Sequence, residues 1–184
     1  MSTAPLEQAI AATRGVLTGV KRDQLGADTP CASWKVSDLV NHIVGGQYFF
    51  VAMVEGVSPT TGEDFSAGDF VAAFDDGSAK ALAAFRGDGV MEKILTLPFG
   101  QMPGSAFVGI AATDTFTHGW DLAKATGQST DLDPQLAAGL LAGAKQFITD
   151  AIRGPEPMPF AAEQKVPSGA TNADQLAAFL GRRV

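Results

Sequence analysis

His42 and His118 are the only two imidazoles in a chain of 184 residues, and the second stands in a segment whose polar residues are out of place. Residues 105–126, SAFVGIAATDTFTHGWDLAKAT, predict a long helix, capped by Ser105 and stopped by Gly127. At about 100° per residue, Phe107, Ile110 and Ala111 share one face, and Asp114, His118, Asp121 and Ala125 continue it. A stripe that begins as a burial face ends in two carboxylates and an imidazole. An unpaired carboxylate taken out of water costs several kcal/mol, so this stripe demands a cation, a hydrogen-bond network or solvent.

The spacing favours a cation. Asp114 and His118 are four residues apart, which puts their side chains ~5–6 Å from each other on one helix surface. Two such groups can address one divalent ion, as the histidines of an HExxH helix do. A third donor must come from another helix, and His42 lies on one, on the same flank as Gly46 and Phe49. Two histidines and a carboxylate from facing helices make a three-ligand site with open positions for water or substrate. The competing readings are plainer: a histidine packed on a helix flank, and an Asp–His hydrogen bond on a helix surface. Asp121 lies one turn beyond His118, where it can orient the imidazole, accept from a bound water or act as the acid–base group. Trp120 points away from this stripe and reads as packing. Cys31, beside Pro30 in a turn-like stretch, reads as structural. The chain has no phosphate-binding glycine loop and no recognisable nucleophile motif.

The elements that must position these residues are mostly helical. Helices are expected over 5–21, 36–56, 68–86, 105–126 and 133–153, the last opened by Asp133 as cap and Pro134 in its first turn. Gly77 interrupts the third. Residues 57–67 read as a polar loop and 90–97 as a brief strand or extended connector. The tail, 160–184, carries one short helix around 172–180, and the prolines of 155–167 predict a wrapped arm. The expected architecture is an all-α antiparallel bundle with a short extended segment and a C-terminal arm, in one domain spanning 1–184.

Composition narrows the classes. Hydrophobic residues make up 46% of the chain, enough for a core, and the net charge is −7 with no Lys/Arg cluster, which argues against nucleic acid or an anionic membrane as partner. No apolar run reaches the ~18–20 residues of a membrane span. Glu7 stands where a signal peptide carries positive charge, so a cytoplasmic location is expected. A single cysteine excludes an internal disulfide and a CxxC zinc motif. The aromatic run Tyr48, Phe49, Phe50 leaves room for a homodimer face.

Three stretches are familiar. CASWKVSDLVNHIVGG resembles the entry to the second helix of the DinB-like superfamily, where a W-x-V-x-D-L-x-x-H pattern supplies a metal-binding histidine. DTFTHGWDLAKATGQ resembles the mycothiol-dependent maleylpyruvate isomerase branch, with its carboxylate-x-x-x-His pair followed by W-D-L, and the tail DQLAAFLGRRV is similar to the endings of small actinobacterial members. The resemblance implies a four-helix bundle holding a divalent metal, zinc or nickel, on His42, Asp114 and His118. It also implies a low-molecular-weight thiol of the mycothiol type, and transfer or isomerisation chemistry on a small electrophile. Two departures bear on that chemistry. The isomerase carries a further C-terminal domain where this chain has an arm, and its carboxylate ligand is Glu where this chain has Asp114. A non-catalytic metal-binding or helical interaction protein is the alternative.

Overall fold

The computed structural model describes residues 2–31, 33–155, 158 and 160–184. Six α-helices dominate: α1 (Ala4–Thr18), α2 (Val36–Glu55), α3 (Phe70–Phe85), α4 (Gly104–Thr126), α5 (Pro134–Phe147) and α6 (Asn172–Phe179). A two-stranded antiparallel hairpin, β1 (Ile94–Leu97) and β2 (Gly100–Pro103), joins α3 to α4. The mostly all-α class expected from periodicity is the class observed. Local chemistry sets the helix ends. The Asp69 and Asp133 carboxylates accept the Ala72 and Leu136 N–H groups, and Gly56 and Gly127 close α2 and α4 at φ 75° and 70°.

Helices α1–α4 form the bundle, and cross-contacts fix their directions. Thr13 meets Thr115 and Val16 meets Gln128, so α1 and α4 run parallel. Arg14 meets Asp75 and Glu7 meets Arg86, so α1 and α3 run antiparallel. His42 lies beside His118 and Phe50 beside Phe107, so α2 and α4 run antiparallel. The order is therefore up, down, down, up. The connection 56–69 carries the chain back along α2 before α3 begins, which a short antiparallel turn could not do.

Close approach explains two glycines. A Cβ on Gly77 would lie 3.0 Å from the Gln47 Cβ, so the residue expected to interrupt α3 is where α2 packs on it. A Cβ on Gly119 would lie 2.3 Å from the Thr13 hydroxyl, so this glycine seats α4 against α1. Across the bundle Gln47 donates to the Thr115 hydroxyl at 3.1 Å, and Phe74, Phe85, Phe107, Phe116 and Trp120 fill the interior.

Several boundaries differ from the expectation, among them the end of α1, which stops at Thr18 rather than 21. Helix α4 opens at Gly104 rather than behind a Ser105 cap, because the Ser105 N–H is taken by the Met91 carbonyl as the hairpin feeds into the helix. The extended segment is half of a hairpin whose second strand, GQMP, has no β-branched residue to announce it. Helix α5 stops at Phe147 instead of 153. The Arg153 backbone is drawn into a bridge with Phe160, and its guanidinium donates to the Ala161 and Phe179 carbonyls. Of the arm's prolines, Pro157 and Pro159 lie outside the described residues, as do Glu156 and Ala32. Helix α6 returns to the bundle, where Trp120 donates its indole N–H to Asp174 at 2.9 Å, the packing role expected of that tryptophan. Among the described residues no helix is long and apolar enough to cross a membrane. The aromatics offered for a dimer face are engaged within the chain: Phe50 is buried, Tyr48 stacks on Phe65 at 5.6 Å, and Phe49 lines a cleft.

Candidate metal centre

The start of α2 and the end of α4 meet at one end of the bundle, and there His42, Asp114 and His118 come together. The His118 Nε2 lies 3.5 Å from Asp114 Oδ1, and the His42 Nε2 lies 3.6 Å from the same oxygen. The two imidazole centroids are 4.4 Å apart, and Trp34 covers both rings at 4.7 and 5.6 Å. The His42 Nε2 is buried and has no hydrogen-bond partner among the described residues. Donors that share one tetrahedral ion at ~2.0–2.2 Å stand ~3.3–3.6 Å from one another. Two nitrogens aimed at one carboxylate oxygen from that range, one of them otherwise orphaned, fit a divalent cation better than they fit hydrogen bonds. Burial opposes ionisation of Asp114, but the charge of His118 and the approach of both imidazoles outweigh it and hold the carboxyl well below its usual range. Burial likewise opposes charge on His118, and Asp114 overrides it, raising the imidazole well above its ordinary value.

The other edge of His118 is differently furnished. Its Nδ1 lies 3.0 Å from Asp121 Oδ2, an acceptor fixed by the fold, which turns Nε2 toward Asp114 and His42. Asp121 is fully buried and receives Arg182 Nε–H at 3.3 Å on Oδ1 and Nη2–H at 3.1 Å on Oδ2. The Cys31 thiol donates to Asp121 Oδ2 at 3.3 Å, and its sulfur lies 3.9 Å from His118 Nδ1. Cys31, His118 and Asp121 also converge closely enough to suggest a cation. The Arg182 guanidinium already neutralises that carboxylate, so a second cation there meets repulsion, and the trio with His42 is the better site. Cys31, Trp34 and Arg182 were not singled out as site members from the sequence, although all three lie in the stretches that carry the family resemblance.

From His42 and Asp114 a cleft of about 730 Å³ runs between α2 and α4 toward the hairpin tip. Phe49, Phe50, Phe99, Phe107 and Ile110 supply its apolar wall. Tyr48 also lines it, but burial and Asp76 push its phenol up to about 12, so it stays protonated at neutral pH. Asp121 does not face this cleft.

A sequence model described as the mycothiol maleylpyruvate isomerase N-terminal domain matches residues 6–123. The chain belongs to that family. The matched segment includes His42, Asp114, His118 and Asp121, and leaves out α5, α6 and Arg182. Two uncharacterized proteins from two strains of Mycobacterium tuberculosis are each 44% identical over 170 residues, covering 92% of this chain and 91% of their own length. No solved structure matches significantly. This member of the mycothiol maleylpyruvate isomerase N-terminal domain family thus pairs a mycothiol-related fold with a cluster of side chains able to hold a metal.

Proposed function

We propose that the chain binds one divalent metal ion, zinc or nickel, through His42, Asp114 and His118, and acts as a metal-dependent thiol S-transferase or isomerase on a small electrophile. The observation that carries this reading is the orphaned His42 Nε2, which shares one Asp114 oxygen with His118 at the end of a cleft. A structural site closes with four protein donors, whereas three leave room for a sulfur ligand. Bound there, the ion supplies Lewis acidity that lowers the pKa of a mycothiol-type sulfhydryl. The protein's own part is positional. Asp121 holds the Nδ1 edge of His118 and acts as its orienting group, Arg182 keeps Asp121 charged, and the apolar wall excludes water from the substrate. Addition of a thiol across an activated C=C needs no further reactant, since sulfur takes one carbon and the proton ends on the other. In this reading the chain works as one domain in the cytoplasm, where small thiols are kept reduced.

Elemental analysis of the purified chain tests the proposal. We expect about one zinc or nickel ion per chain, near-complete loss of metal in His42→Ala, and chelator-sensitive thiol transfer by the parent protein. A chain purified without metal, unable to take up either ion and unaffected by chelator, overturns it.

A further inference from the structure

We infer that the molecule admitted to the cleft is uncharged and apolar, an aromatic or ester-like electrophile, and not a dicarboxylate such as the one that names the family. The inference rests on the proposed thiol chemistry for what happens to that molecule, but on the cleft alone for what enters it.

Charge comes first. Recognition of a carboxylate draws on a guanidinium or ammonium, or on free N–H and O–H donors, placed where it binds. Among the described residues lining the cleft there is no Lys or Arg, and the charged groups are Asp114 and Glu63. Lys80 reaches the edge of Tyr48, but its ammonium is held by Asp76 at 2.7 Å. A divalent ion and a thiolate would leave no surplus either, because the ion's two charges are matched by the thiolate and Asp114. The remaining field is that of Glu63, which repels an anion.

Two of the polar side chains on the wall, Asn41 and Tyr48, are engaged within the protein. Asn41 donates its amide to Asp64 at 3.1 Å and accepts the Ser66 N–H at 2.8 Å. The Tyr48 hydroxyl is held between the Ala73 carbonyl and Asp76. At the mouth stand Phe99, 57% exposed, and Ile110, 40% exposed, large apolar side chains that pack against nothing on their outer side.

Two glycines agree with this. Gly45 and Gly46 lie side by side inside α2, where glycine weakens a helix, and both line the cleft. A Cβ on either would make only ordinary contacts, 3.7 Å to Phe65 and 3.9 Å to Asp114, so packing does not require their absence. What they leave open is the floor of the cleft, against which a flat apolar molecule can lie.

The test is calorimetric titration of the full chain with two probes of one shape and different charge, 2-naphthylmethanol and 2-naphthoate. It is run on chelator-treated protein so that no ion recruits the carboxylate. We expect the alcohol to bind at least tenfold more tightly than the anion. Ile110→Arg, at an already exposed position, should supply the missing cation and shrink that ratio about tenfold. Gly45→Leu should fill the floor and weaken the alcohol at least tenfold without lowering the unfolding temperature. Equal or tighter binding of naphthoate, no binding of either probe, or unchanged affinity in Gly45→Leu overturns the inference. If the probe preference holds while the chain takes up no metal, the thiol chemistry fails and the cleft's selectivity stands.

Discussion

The two edges of the His118 ring face opposite environments. On the Nδ1 edge, Asp121 is fully buried and every oxygen has a donor: Arg182 on both, with the imidazole and the Cys31 thiol on Oδ2. On the Nε2 edge, Asp114 is one-third exposed, two nitrogens stand off one of its oxygens, and His42 Nε2 bonds to nothing described. Both carboxylates come from the same helix, two turns apart. The difference shows how a fold divides labour around one ligand: the side closed to solvent fixes orientation, and the side open to the cleft keeps unsatisfied donors for something from outside.

The largest expected effect breaks the closed side. Arg182→Met leaves Asp121 as a buried, under-compensated charge, a loss of ~3–5 kcal/mol. At ~2–4 °C per kcal/mol for a chain of this size, the thermal midpoint should fall by roughly 10 °C. Adding Asp121→Asn to that variant should recover part of the loss, which a double-mutant cycle followed by thermal unfolding will show. An Arg182→Met chain as stable as the parent would mean that the closed side is not closed.

Matched isosteric changes on the two carboxylates come next. Asp114→Asn removes a proposed ligand charge and should weaken zinc binding by more than ~100-fold, whereas Asp121→Asn, acting through His118, should weaken it ~10–100-fold. Stability should rank in the reverse order, because Asp121→Asn abandons the Arg182 guanidinium, which cannot shed its charge, whereas His118 can lose its proton when Asp114 is neutralised. Competition against a chelator gives the first ranking and thermal unfolding the second. If both readouts rank the two variants alike, the division of labour is wrong.

The smallest effect is in pH. Without metal, the folded-state pKa of His118 lies well above its unfolded value near ~6.5. Its contribution to stability is then fully present below ~6.5 and lost as pH rises through the folded value. Asp114, shifted down, contributes above its unfolded value near ~3.9 and loses that contribution only as pH falls through its lower folded value. Metal must displace the proton that His118 carries below its raised folded value, so its stabilisation runs the other way and shrinks as pH falls from that value. Thermal midpoints from pH 8 to 5, with and without added zinc, should therefore converge toward the acid end.

Period made most of this legible. A three- to four-residue rhythm identified the bundle helices, and the break in that rhythm along α4 pointed to Asp114, His118 and Asp121. With one other histidine in the chain, His42 was the natural third member. Period carries no direction, so the parallel pairing of α1 with α4 was not in the pattern; it depends on the long connection 56–69 and on contacts such as Thr13 with Gly119. Cys31 and Arg182 were invisible for a related reason. Neither lies in a periodic segment with the stripe, and Arg182 reaches Asp121 across 61 positions only after α5 and α6 have folded back. The end of α5 was missed because a tertiary bridge, Arg153 with Phe160, outbid a helical sequence.

The reach of Arg182 into the bundle bears on modularity. The span that matches the family stops at residue 123, and by sequence likeness alone that span reads as a unit that could be lifted into another protein with its histidines intact. Electrostatically it is not one. Cut there, the transplant carries a buried anion whose countercharge stayed behind, and the imidazole leaning on that anion loses its anchor. A designer who wants this site in a new host must bring the distant arginine along or retire the aspartate with it.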